Sequence, residues 1–148
     1  MTVKTLPPAA TVPYGQLIPI NVHFDELDAQ GMLHNARFPL LVERAWLQMW
    51  MEHGDWQASG DTSNVVRELR IIYEAPVIQP GPYAVHLWLE RIGTTGLTYG
   101  FRFCSMDGGV TYAHGTRALV RLDPQTLRPS PWSERLRSVA QELLRPSQ

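Results

Sequence analysis

The chain has 148 residues, 44% hydrophobic and 18% charged, with a formal net charge of -1. That composition belongs to one globular domain and excludes a disordered chain. The near-zero charge excludes holding nucleic acid or an anionic membrane by overall field, so an anionic ligand would need a local arginine cluster.

The first fifteen residues carry Pro7, Pro8 and Pro13 and read as an extended N-terminal arm, 1–15. Met1–Ala10 has no apolar segment of signal-peptide type, and no run reaches the ~18 apolar residues of a spanning helix. A cytoplasmic protein is therefore expected. Gln16–Phe24 is apolar, partly alternating and interrupted by Pro19, the pattern of an edge or bulged strand. A polar turn, Asp25–Gly31, leads to the strongest helical signal, Ala36 to Met51. Phe38, Leu41, Val42, Ala45, Trp46 and Met49 recur at helical spacing there. Leu40, Leu47, Trp50 and Met51 widen the apolar surface almost all round, and Arg37, Arg44 and Gln48 keep a narrow polar stripe. A helix of that kind must be buried. Asn35 is expected to cap it, Pro39 falls in its first turn, and His53-Gly54 ends it.

Past a polar loop at 60–63 the pattern changes to strands. Val65–Tyr73 places Val65, Arg67, Leu69, Ile71 and Tyr73 on one side. A turn-rich link with Pro76, Pro80, Gly81 and Pro82 precedes Tyr83–Ile92, where Tyr83, Val85, Leu87 and Leu89 share a face. Leu97, Tyr99, Phe101 and Phe103 share a face of the next strand, and Asp107-Gly108-Gly109 marks a hairpin before the last one, Val110–Leu122. Ser133–Leu144 reads as a short helix. The organisation is an arm (1–15), one domain (16–132) and a C-terminal helix and tail (133–148). This order predicts an α+β fold, an antiparallel sheet of about five strands wrapped around one long central helix.

No GxSxG, HExxH, CxxC, phosphate-loop or GxGxxG motif is present. The histidines at 23, 34, 53, 86 and 114 share no metal-ligand spacing, so no metal site is expected, and Cys104 reads as a small buried strand residue. The informative stretch runs from Phe24 to Phe38, with Asp25, Glu26 and Asp28 directly before Gly31 and the helix start. Acids there can simply offset the helix dipole. The same stretch also suits chemistry. First-turn amides lack ladder partners and can meet an anion or a polarised carbonyl. Gly31 permits close backbone approach, and an upstream carboxylate can act as base or nucleophile.

The stretch F-x-x-x-D-A-x-G-x-x-x-N-A-R-F, with Glu43 following in the helix, resembles the 4-hydroxybenzoyl-CoA thioesterase family, in particular the long-chain acyl-CoA thioesterase-like branch. Val65–Val77, with its Tyr-x-x-Pro turn, and Asp123–Pro129 extend the resemblance, which covers about Gln16 to about Leu136. It implies a hotdog fold and an acyl-CoA thioesterase that releases free acid and coenzyme A. Carried over by position, Asp28 is the catalytic carboxylate, and the backbone amides of Gly31 and Met32 form the oxyanion site. His34 and Asn35 lie at the substrate, and Val65 and Val66 are candidates for the partner's wall of the acyl tunnel. Glu43 reads as structural. The resemblance further implies a homodimer joined edge to edge, often a dimer of dimers. No cofactor is implied beyond coenzyme A as part of the substrate, and no nucleic acid or membrane partner. Two rivals stay open. A hotdog enoyl-CoA hydratase would use Asp28 and His34, although the Asn-Pro of its usual motif is missing here. A non-catalytic acyl-CoA-binding protein would share the fold without the reaction.

Overall fold

In a computed structural model, which describes residues 11–53 and 60–147, strand β1 spans Gln16–Val22 and is followed by one 3-10 turn, Phe24–Glu26. The rest of the order is α1 (Arg37–Glu52), β2 (Asn64–Tyr73), β3 (Gly81–Ile92), β4 (Gly96–Cys104), β5 (Thr111–Arg121) and α2 (Glu134–Leu143). The strands form a five-stranded sheet in the order β1-β3-β4-β5-β2, antiparallel throughout. The fold is thus α+β with a five-stranded antiparallel sheet and, among the described residues, two α-helices, where the sequence pointed to one long helix and a short C-terminal one. Most of the expected arm, and Gly54, lie outside the described residues.

One face of α1 meets the sheet. Phe38, Leu41, Val42, Ala45, Trp46, Met49 and Trp50 are buried, against Val85, Leu87 and Leu89 of β3 and Leu97, Tyr99, Phe101 and Phe103 of β4. Trp46 stacks on Tyr99 with ring centroids 3.9 Å apart. Burying each such side chain is worth about 1.5–3 kcal/mol. The expectation that α1 would be buried all round is corrected. Leu40, Leu47 and Met51 remain exposed, because the sheet covers only the opposite side and they form a separate stripe.

β2 departs from strict alternation. Its register with β5 shifts between Val66 and Glu68, leaving Arg67 as a bulge. A one-residue slip exchanges faces. Val66, opposite buried Leu119, therefore shares a face with Leu69, Ile71 and Tyr73, while Val65 turns to the other side with Ile72. The single alternating face expected for Val65, Arg67 and Leu69 does not survive the bulge.

α2 is capped as expected, with the Ser133 hydroxyl accepting from the Leu136 amide. Its start is also fastened to the loop before β2. Buried Asp61 accepts from the Ser133 amide and hydroxyl and pairs with Arg121 at 3.3 Å. After α2, Leu144 bridges Leu89 in parallel, and the Arg145 amide donates to the Leu89 carbonyl. This tail continues along β3 where β1, paired only as far as Leu87, runs out.

Candidate active site

The segment joining the 3-10 turn to α1 is a tight loop closed on itself. Leu27 bridges Leu33, the Asp28 amide donates to the Met32 carbonyl at 2.7 Å, and Gly31 sits at φ +79°. A side chain would strain that backbone, which is why glycine stands there. The Asp28 Oδ1 accepts from the amides of Gln30 (2.9 Å) and Met32 (3.1 Å). Its Oδ2 makes no hydrogen bond among the described residues. Buried Leu33 donates its amide to Val77 and pins the loop to the β2–β3 link. Glu26, second of the three acids, is structural. It is buried, accepts from the His23 amide and lies 3.9 Å from Arg44 of α1.

This loop, the start of α1 and the end of β2 enclose an open cleft of about 480 Å³, lined by Asp28, Met32, His34, Asn35, Phe38, Tyr73 and Glu74 among others. The structure thus brings together Asp28, Met32, His34 and Asn35. The Gly31 and Met32 amides, expected to face an oxyanion, are both engaged inside the loop: Gly31 donates to the Asp28 carbonyl and Met32 to its carboxylate. The Asn35 amide has no hydrogen bond among the described residues. Asn35 is not the helix cap. Ala36 occupies that position with no side-chain cap hydrogen bond, and the His34 ring accepts the Ala36 amide at Nδ1 (3.1 Å). That bond leaves the His34 proton on Nε2, a donor at an exposed position.

Val65 and Val66 are not at this cleft. They sit near the far end of β2 from Tyr73, roughly 23–27 Å away at about 3.3 Å per residue. Of the arginines that could meet phosphates by charge, Arg117 is buried against the Tyr99 hydroxyl and the Pro39 carbonyl. Arg102 is committed to His86, the Gly108 carbonyl and Thr111. Arg91 and Arg128 are exposed.

Sequence reasoning did not assign two residues to this chain's own cleft, Tyr73 and Glu74. The Tyr73 hydroxyl donates to the Asn35 carbonyl at 2.8 Å, and its ring meets Phe38 edge to face. Burial pushes the Tyr73 phenol up from its usual range. Both belong to the Tyr-x-x-Pro turn, a signal visible in the sequence but read there only as a fold marker.

The model of the thioesterase-like superfamily matches residues 22–139. The chain belongs to that superfamily. Solved structures agree with it. A candidate thioesterase from Pseudomonas aeruginosa is 26% identical, with a TM-score of 0.75 over 83% of this chain and 95% of that one. A candidate acyl-CoA thioesterase from Xanthomonas campestris is 28% identical, with a TM-score of 0.67 over 81% and 99%. A thioesterase from Thermus thermophilus, solved with coenzyme A and zinc, is 24% identical and shares the fold, with a TM-score of 0.72 over 88% and 96%. No curated protein matches the chain. Among the described residues of this superfamily member, no helix is long and apolar enough to cross a membrane, and no three His, Cys, Asp or Glu groups could hold a metal together.

Proposed function

We propose that this protein hydrolyses an acyl-CoA thioester. The observation that carries the reading is the Asp28 carboxylate. One oxygen is fixed by two backbone amides, and the other is free at a cleft at the start of α1. Fixing Oδ1 orients the group without consuming Oδ2, as a general base or nucleophile requires. The Asn35 amide, the one in the 31–35 segment with no hydrogen bond among the described residues, polarises the thioester carbonyl. Either Oδ2 takes a proton from water as it attacks the carbonyl, or Oδ2 attacks directly and displaces the thiolate, leaving a mixed anhydride that water opens. Both routes end in a free acid and coenzyme A. The thioesterase names of the Pseudomonas and Xanthomonas relatives, and the coenzyme A held by the Thermus protein, support the substrate class. Closer kinship to the 4-hydroxybenzoyl-CoA branch, and the hotdog arrangement of sheet and α1, rest on the Asp28–Phe38 motif.

The working unit is a homodimer formed through β2. That strand is a sheet edge, and Val65, Val66, Leu69, Ile72 and Tyr73 are exposed along it. Antiparallel pairing of two copies about the middle of Asn64–Tyr73 sets Val65 and Val66 of one copy beside Ile72 and Ile71 of the other, next to its Tyr73. They would then reach the second copy's cleft, which they cannot reach within their own chain.

The test is thiol release from short, long and aromatic acyl-CoAs by wild type and Asp28→Asn. The asparagine keeps an acceptor for the Gln30 and Met32 amides, so the loop survives. A loss of about 10²-fold or more is expected. No release from any substrate by folded wild type would overturn the proposal.

A further inference from the structure

The charges around the cleft are one-sided. Two carboxylates from separate segments line it, Asp28 on the loop before α1 and Glu74 at the exit of β2, and among the described residues no lysine or arginine does. Glu74 is held in place. Its amide and that of Ala75 both donate to the Tyr112 carbonyl, at 2.8 and 3.1 Å. Its Oε1 lies 3.3 Å from His114 Nδ1. The rest of the lining is largely apolar or aromatic, with Met32, Leu33, Phe38, Tyr73 and Pro76.

We infer that Glu74 is a specificity-determining residue that restricts the cleft to acyl groups without a carboxylate of their own. This rests on the proposed thioesterase reading, in which the acyl group lies beside Asp28. A second carboxylate on the acyl chain would sit near two like charges with no lysine or arginine among the described lining residues to offset them. Like charges in such surroundings act over several ångströms, more strongly than in bulk water. An uncharged acyl group meets no such field and gains the apolar wall. Glu74 thus selects by repulsion, and Asp28 alone carries the chemistry.

The test compares butyryl-CoA with succinyl-CoA, which have equal chain length and differ in the terminal carboxylate. Wild type is expected to favour butyryl-CoA in kcat/KM, and Glu74→Gln to reduce that preference by about tenfold. The ratio within each variant cancels any loss of folded protein. Glu142→Gln, an exposed carboxylate on α2, controls for general charge. An unchanged ratio in Glu74→Gln, or a wild type that favours succinyl-CoA, overturns the inference and leaves the thioesterase reading standing. No thiol release by wild type from any substrate overturns both.

Discussion

Tyr73 ties the end of β2 to the residue just before the cap of α1, Asn35, through a single hydroxyl. Tyr73→Phe keeps the ring against Phe38 and removes that bond, so it should cost about 0.5–1.5 kcal/mol in urea unfolding. Asp61 has more at stake. It is 1% exposed and joins Arg121 to the start of α2, so Asp61→Ala should cost about 3–5 kcal/mol by the same measurement. His86 supplies a pH dependence. Its Nε2 faces the Tyr14 carbonyl and its Nδ1 accepts from Arg102. Burial, then the charges of Arg102 and Arg145, hold its pKa below the usual value. The folded state therefore favours neutral imidazole. The contribution is fully present above the unfolded pKa of about 6.5 and is lost as pH falls towards the folded value. Below that pH the thermal unfolding midpoint should fall, and His86→Gln, which keeps one donor and one acceptor, should flatten the slope. At this scale Asp28 was singled out through the family resemblance of its motif, and its place beside Met32, His34 and Asn35 follows from closeness in sequence. The places of Tyr73, Glu74 and Asp61 were not legible, because their partners lie far away in sequence and only the folded sheet brings them together.

The strands of the sheet were readable from alternation where one face is fully covered. Val85, Leu87 and Leu89, with Tyr99, Phe101 and Phe103, fall inside as their period of two requires. Alternation failed at β2, where the Arg67 bulge exchanges the faces, since a bulge leaves no mark in a run of mixed residues. The outer face of β3 and β4 shows another contact that period alone does not reveal. The Trp88 indole lies across Gly100, so close that a Cβ there would come within 2.3 Å of the ring. Gly100→Ala should force the indole aside, cost about 1–3 kcal/mol and shift the tryptophan fluorescence. α1 shows the limit of helical periodicity. The apolar positions were found, but hydropathy does not say which of them the sheet reaches and which, such as Leu40 and Leu47, are left outside.

At the scale of the molecule, the exposed apolar edge of β2 predicts association. Wild type should sediment as a dimer, and Leu69→Lys with Ile72→Lys should shift it to monomer, because charge on an edge strand opposes pairing. A monomeric wild type would refute the β2 interface. The sheet order carries one more consequence. β2 is the second strand made, yet among the described residues its one neighbour in the sheet is β5, the last. A ribosome adding about 5–20 residues per second leaves it waiting on the order of seconds. Through that interval its valines and isoleucines have no strand beside them on either edge. In a crowded polysome the first strand to meet β2 could come from a neighbouring nascent chain, so assembly and folding would compete for the same edge.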